Sequence, residues 1–565
     1  MKGFKESEVN KMDRDKKQHP KNNNKALFQN ALTLQKKGEL EEASKIYHQL
    51  IKNKFLEEKV FLNYATICQQ QNKFNDAILL LKNAIKINPK NFIPFFKMGF
   101  ILNNRGRFYE AYPFAKKAID LNPSLWEGYH NLIKILISLN KPKDAAIIAE
   151  KARNMFSNNH LFDGLLGDIY KDIGDFEEAK KNYNKAINKA PSDDETLYSY
   201  ADFLVGIGRK EESINYLKKI LNINPKHSIS YYLLSTIVSP EKDQNLVNII
   251  LNTKITNFNT IYDKYTILFS KANIFHKKRN FEKSSELLKQ ANDFKLLDRP
   301  SNIERVIKYS ELIKEKTNLD KSFDIPKFNF LRDIFIVGLP RSGSTLVESI
   351  LGMNQDVYNL GENSILINAL KESEESNYSN IDQLYFKFSQ NFSKKKITTN
   401  KMLGNFMHIP HIVSKLEHSK IIYTFRNPLD NILSMYRAKF TGAGNEYSSS
   451  LIDTANYYVH HFKMMSFYRE KYKNHIYFLN YDKLVNDPET QIKKILDWLG
   501  ISWSNNYLNH HKSEQGFFTA SNVEVRSPIN NKSVGGWKNY SKLMREPLEF
   551  FQLNNFALDS FEKYS

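Results

Sequence analysis

The chain has 565 residues, 41% of them apolar and 25% charged; this composition excludes a fibrous class and global disorder, and the length exceeds what one core holds, so at least two domains are expected. A net charge of +20 favours anionic ligands or surfaces, but the sequence lacks the interleaved aromatic and basic residues of a nucleic-acid groove. Cys68 is the only cysteine, so no intrachain disulfide can form; with no apolar h-region at the N-terminus and no run of about 18 apolar residues, a cytoplasmic protein without a membrane span is expected.

After a polar leader, residues 1–23, read as disordered, the chain repeats itself. Ala43, Ala77, Ala111, Ala145 and Ala179 are 34 residues apart, with Ser213 next in register. Ala84, Ala118, Ala152 and Ala186 run in parallel, and Pro89, Pro123, Pro191 and Pro225 share the same period, Ser157 taking the vacant place. Small residues at this interval suit two helices that approach closely, with Gly38, Gly106, Gly174 and Gly208 at the turn between them. The pattern resembles tetratricopeptide repeats, which implies an all-α solenoid with a concave groove for an extended polypeptide or protein partner. Six repeats reach about residue 227, and Ala272, Phe281, Ser284 and Ala291 regain the register after an irregular stretch at 239–257. The array is assigned to residues 24–316, its last repeats degenerate. Aromatics such as Trp126, Tyr129 and Tyr170 are read as core.

Residues 317–331, around Pro326, break the helical pattern and form a linker to a second domain, 332–565. Ile334–Val337 reads as a strand buried on both faces. The turn that follows carries Gly338 and Gly343, and Leu346, Val347, Ile350 and Leu351 then recur at helical spacing. A strand, a glycine turn and a helix start make an anion site. Ser344 stands where an ATPase loop has lysine, and Arg341 supplies the cation; a guanidinium grips phosphate or sulfate through paired hydrogen bonds. No apolar strand ends in an Asp to hold magnesium, which argues against a nucleotide triphosphatase.

GLPRSGSTL resembles the phosphosulfate loop of sulfotransferases that use 3′-phosphoadenosine 5′-phosphosulfate (PAPS), in particular the protein-tyrosine sulfotransferases. The expected architecture is therefore multidomain, the solenoid followed by an α/β P-loop-like domain with a central parallel sheet. The resemblance implies donor contacts from Arg341, Ser342, Gly343, Ser344 and Thr345. Gly361 and Glu362 in LGEN match the segment holding the family's catalytic base, a role that suits a positioned carboxylate. Lys401 matches a lysine that stabilises charge on the leaving oxygen. In KIIYTFRNPLDNILSMYRAKF, a strand at Ile421–Phe425 ends in Arg426, and Ser434 follows at the spacing of the 3′-phosphate motif. The family's second arginine falls where this chain has Ala438, which leaves a role for Arg437 open.

Tyr481 matches another cofactor contact, while Leu484, Ile492, Ile495, Leu496, Trp498 and Leu499 read as helix packing. SNVEVRSPIN, Ser521 to Asn530, resembles the segment that closes over the donor, with Ser521 at the sulfuryl group and Asn530 a further contact. Gly536 takes a lysine position, leaving Lys532 or Lys538 as substitutes. His408, His411, His460, His461, His510 and His511 lack zinc-ligand spacing, so no metal is expected. The expectation is a PAPS-dependent transferase with Glu362, Arg341, Lys401 and Ser521 catalytic, protein tyrosine as acceptor and a homodimer as an option. The rivals are a glycan, lipid or small-molecule acceptor, or a scaffold carrying an inactive nucleotide-binding domain.

Overall fold

The computed structural model describes residues 21–319, 330–376, 380–440, 444–513 and 515–558; most of the leader and residues 320–329 of the linker lie outside them. The chain divides into two compact units, 1–169 and 170–565.

Within the first unit, helices pair antiparallel, from Lys21–Lys37 and Leu40–Lys52 to Trp126–Ser138 and Pro142–Met155. The repeat alanines explain the pairing: Ala43, Ala77, Ala84, Ala111, Ala118, Ala145 and Ala152 are all fully buried, where a larger side chain would push two helix axes apart. Gly38 and Gly106 adopt left-handed φ at the turns, and Asn72 and Asn140 fill the intervening places in the same conformation, which asparagine tolerates better than most residues. Cys68 and Tyr129 are core, as read; Trp126, at a helix start, is 36% exposed.

In the second unit the repeats continue through helices Phe176–Lys189, Asp194–Gly206, Lys210–Ile223 and Ser228–Ile237. The irregular stretch holds a short helix, Gln244–Asn252, before the long pair Ile261–Lys277 and Phe281–Asp298 restores the register. A last helix, Ile303–Leu319, precedes the sheet.

The sheet has five parallel strands: β1 (Asp333–Gly338), β2 (Val357–Asn359), β3 (Ile397–Asn400), β4 (Ser419–Phe425) and β5 (Ile476–Asn480), in the order β2-β3-β1-β4-β5. Alternate residues of β1 face opposite layers. Ile334 and Ile336 pack with Val347, Ile350, Ile492 and Leu496 of helices Ser344–Leu351 and Pro488–Leu499. Phe335 and Val337 pack into a larger cluster that contains helix Leu451–Lys471 and also Tyr265, Leu268, Phe269, Leu287 and Leu288 of the last repeats. The worn repeats thus share a core with the sheet. Because all strands run one way, the loops after them gather on one edge; connections diverge to either side there between β1 and β4, where doubly wound sheets place their ligands.

Candidate active site

Each of the five strands delivers a candidate residue to that edge. After β1 the backbone turns sharply: Gly338 has φ of 152°, Arg341 67° and Gly343 96°. A left-handed arginine is costly for an L-residue and marks a loop held by its surroundings. Side chains could not replace the glycines. A Cβ on Gly338 would strike Thr424, and one on Gly343 the ring of Tyr481. Ser342 Oγ bonds Thr424 Oγ1 at 2.7 Å, and Asn431 Nδ2 donates to Pro340 O at 2.9 Å, so the loop is bound to β4 and to the helix after it, Pro428–Arg437. Helix Ser344–Leu351 starts at the loop and turns its first N–H groups toward the opening.

Arg341 is the hub. Its Nε donates to Ser434 Oγ at 3.0 Å, Nη1 to Ala520 O at 2.8 Å and to Ser521 Oγ, and Nη2 to Glu524. One guanidinium therefore joins three expected site segments: the β1 loop, the helix after β4 and the closing segment. Thr345 Oγ1 also meets Thr519 Oγ1 of that segment, at 3.3 Å. Glu524 was not anticipated. Its side chain is 63% exposed. Burial works to raise its pKa, but the charges of Arg341, then Arg437 and Arg426, hold it below the ordinary carboxylate range. Arg437 faces the same group; burial pulls its guanidinium below the usual value, and it lies 6.0 Å from the Tyr540 ring centroid.

Arg426 ends β4 and is 5% exposed. Its Nη2 donates to Ser533 O at 2.8 Å, it lies 4.9 Å from the Tyr481 ring centroid, and its buried Nε has no hydrogen-bond partner. A buried unpaired donor is costly, and an oxyanion here would satisfy it. Tyr481, after β5, touches the β1 loop at Gly343 and reaches Ser533 Oγ at 3.2 Å. It spans the space between the two arginine loops, and the chain from 519 to 533 lies across both.

On the other side of β1, Lys401 follows β3 and Glu362 follows β2. Lys401 is fully buried and its Nζ donates to Glu362 at 2.7 Å, while Glu362 keeps 51% of its side chain exposed. The pair presents one sheltered cation and one accessible carboxylate. Asn530 is exposed and bonds within its own turn, to Pro528 O; Lys532 and Lys538 are exposed too. The repeats also reach this edge. Lys439 N donates to Tyr232 Oη at 3.2 Å and its Nζ to Tyr262 Oη at 2.9 Å, and burial brings the Lys439 ammonium down to about 7. Phe517 N and Arg526 Nη2 both donate to Gly206 O, while Phe518 packs on Phe176 and Phe203. Tyr358 Oη, on β2, donates to Ile173 O. Tyr232 and Phe203 fall within the expected array, 24–316, but periodicity cannot say which repeats face the sheet.

Among the described residues, Asp194, Glu195 and His227 bring three metal-ligating atoms within 4.8 Å. They stand at the starts of helices Asp194–Gly206 and Ser228–Ile237, where helix dipoles favour carboxylates without a cation. Among the described residues no helix is long and apolar enough to cross a membrane.

The fold and this edge define a helical repeat array joined to a parallel α/β domain whose strand ends carry two arginine-bearing loops. Comparison with known proteins makes this particular: residues 333–505 match the sulfotransferase family, residues 58–91 a tetratricopeptide repeat and residues 165–227 the C-terminal tetratricopeptide repeats of YpiA-like proteins. The chain carries a sulfotransferase domain and tetratricopeptide repeats. An uncharacterized protein of Aquifex aeolicus (strain VF5) is 24% identical over 411 residues, 66% of this chain and 52% of that protein, so the chain spans about half of that relative's length. A Caenorhabditis briggsae protein named "Putative protein-tyrosine sulfotransferase" is 27% identical over 235 residues, 37% of this chain and 81% of its own. Among solved structures, a tetratricopeptide repeat protein of Parabacteroides merdae matches with TM-score 0.36 at 15% identity over 48% of this chain and 93% of its own. PilF of Pseudomonas aeruginosa matches with TM-score 0.32 at 17% identity over 38% and 96%.

Proposed function

We propose that the chain moves a sulfuryl group from PAPS to an acceptor hydroxyl, and that the acceptor is a tyrosine of a polypeptide. The observation that carries this is the bonding of one guanidinium, Arg341, to Ser434 and Ser521, with Arg426 and its unpaired Nε on the adjoining loop. A donor with anionic groups at both ends of an adenosine fits two arginine loops spanned by an aromatic ring better than a single phosphate does. On this reading Ser342, Gly343, Ser344 and Thr345 with Arg341 hold the phosphosulfate, Arg426 and Ser434 hold the 3′-phosphate, and Tyr481 is a further cofactor contact. Ser521 closes on the sulfuryl group and Asn530 lies at the far end of the closing segment. Glu524 yields its place on Arg341 when the donor enters.

In the step itself, the acceptor oxygen attacks sulfur and a new S–O bond forms. The bond from sulfur to the 5′-phosphate oxygen breaks, and adenosine 3′,5′-bisphosphate leaves with its electron pair. Glu362 takes the acceptor proton, while Lys401, Arg341 and Ser521 meet the charge that builds on oxygen. No step needs a metal. The repeats, 24–316, recruit the polypeptide; residues 317–331 link them to the catalytic domain, 332–565. A single cysteine suits a reducing compartment such as the cytoplasm. The preference for tyrosine follows from the likeness of LGEN and the closing segment to tyrosine sulfotransferases and from the relative's name.

The test is incubation with radiolabelled PAPS and a panel of tyrosine peptides, glycans, lipids and phenols. The expected result is label on tyrosine, abolished in Glu362→Ala while bisphosphate binding persists. Label on another class redirects the acceptor, and binding without turnover on any class defeats the reading.

A further inference from the structure

One buried carboxylate takes no part in this scheme. Glu348 lies on the second turn of helix Ser344–Leu351, which starts at the phosphate loop, and it is only 2% exposed. Its Oε1 accepts two hydrogen bonds, from Gly361 N at 3.0 Å and from Thr399 Oγ1 at 2.9 Å. Its own backbone carbonyl accepts from Asn359 Nδ2 at 3.0 Å. All three partners belong to the ends of β2 and β3, where Glu362 and Lys401 begin.

The turn that Glu348 holds is conformationally specific. Gly361 has φ of 65°, and its carbonyl accepts from Lys401 N at 2.9 Å. Gly361 is thus tied on its N–H side to the donor-loop helix and on its carbonyl side to the lysine. Glu362 is the next residue in the chain. Burial holds the Glu348 carboxyl above its ordinary value, with Glu362 adding to the rise and Lys401, Thr399 and Gly361 offsetting part of it. A desolvated carboxylate is an expensive way to brace a loop when an apolar side chain would pack at less cost. Its distinctive feature is an oxygen that takes two donors from two strands at once.

We infer that Glu348 is a positioning residue for sulfuryl transfer: it fixes the Gly361–Glu362 turn and Lys401 against the helix of the donor loop, so that base and donor keep one geometry. This rests on the reading of Glu362 as the base. Misplacement of a catalytic group by about 1 Å costs on the order of 100-fold, so the effect should appear in kcat. A brace for the fold as a whole would instead lower stability and donor affinity together.

The experiment compares Glu348→Gln with Glu348→Ala in the full chain. Glutamine keeps an Oε1 that accepts both bonds, and alanine removes it. In Glu348→Ala the expected kcat falls about 100-fold while the dissociation constant of adenosine 3′,5′-bisphosphate stays within about twofold. Glu348→Gln restores kcat to within about fivefold of the unmodified chain. Amide exchange supplies a readout that needs no turnover: the Gly361 N–H exchanges about tenfold faster in Glu348→Ala and stays protected in Glu348→Gln. Unchanged kcat in Glu348→Ala, equal impairment of both variants, or unaltered Gly361 exchange overturns the inference. If the unmodified chain transfers nothing, sulfuryl transfer is the part that fails, and the exchange data still decide whether Glu348 holds the turn.

Discussion

Glu524→Gln is expected to tighten donor binding, an uncommon outcome for a change in an active site. A guanidinium has five N–H donors, and Arg341 directs four of its bonds inward: Nε to Ser434, Nη1 to Ala520 O and Ser521, and Nη2 to Glu524. An incoming oxyanion must displace some of these. The ion pair with Glu524 joins a side chain 13% exposed to one 63% exposed, so solvent screens it, and its coupling is about 1 kcal/mol, the upper end for open pairs. Removing that competitor should lower the dissociation constant of adenosine 3′,5′-bisphosphate about fivefold. Calorimetric titration of both proteins at two salt concentrations measures it, with the gain shrinking as salt rises. The pH dependence follows from the sign of the shift. The net effect of Arg341 is to depress Glu524 despite burial, so the pair persists above its folded pKa and is lost only as pH falls through that value. The ratio of the two constants should therefore be flat from pH 6 to about 8. Equal or weaker binding by Glu524→Gln would refute the idea that this carboxylate occupies the donor's place.

Three further outcomes follow from the geometry. Gly343→Ala puts a Cβ against Tyr481 at a φ of 96°, so bisphosphate affinity should fall more than about tenfold with helix content unchanged; affinity retained in a calorimetric titration would count against the loop. Phe518→Ala removes a ring seated on Phe176 and Phe203, about 1 to 2 kcal/mol for a partly buried phenyl, and limited proteolysis should cut the closing segment sooner. Equal cleavage rates would show that the segment is held elsewhere. Lys439 is lowered by burial from 10.5 to about 7: across that interval the unfolded chain binds a proton that the folded chain does not, so stability rises with pH there. Lys439→Met should flatten the slope of urea midpoints between pH 7 and about 10, and an unaltered slope would place the pH dependence on other groups.

The sequence made the scaffold legible where local chemistry is strong. The buried runs at Ile334 and Ile421 became β1 and β4, and the small-residue series became close helix pairs, because burial on both faces and close helix approach each demand a narrow range of side chains. Strand β3, Ile397–Asn400, is not legible as a strand, since its inward residues Thr398 and Thr399 look like surface residues by hydropathy. Their hydroxyls are satisfied in the interior: Thr398 donates to Asp333, its partner in the parallel register of β1 and β3, and Thr399 to Glu348 on the helix after β1. Arg341 and Ser434 belong to separate motifs in the sequence, and a single hydrogen bond joins them in the structure. Glu524 and Glu348 are not legible in the sequence for opposite reasons: the first is an exposed glutamate in a short turn, the second sits where helical spacing shows only that one polar residue interrupts an apolar face.

The fading of the repeat pattern after residue 227 has a physical cause that can be tested. A solenoid helix needs one face for each neighbouring repeat, but Ile261–Lys277 and Phe281–Asp298 also turn Tyr265, Leu268, Phe269, Leu287 and Leu288 into the core that holds Phe335, Val337 and Tyr423 of the sheet. Their sequences answer to two partners, so consensus residues give way while Ala272, Ser284 and Ala291, at the contact between the two helices, remain fully or almost fully buried. Polar bonds follow the same seam: Asn292 Nδ2 donates to Tyr436 O at 3.0 Å, and Tyr540 Oη meets His276 Nδ1 at 2.7 Å. A chain beginning at residue 330 would lose five large apolar partners worth about 2 kcal/mol each, a total on the order of 10 kcal/mol that matches the whole stability of an ordinary domain. It should therefore give no cooperative melting transition by circular dichroism, whereas a chain beginning just before His160 should melt cooperatively. A cooperative transition in the shorter chain would mean that the sheet closes its core unaided, and that the repeats drifted from consensus for some reason other than burial against it.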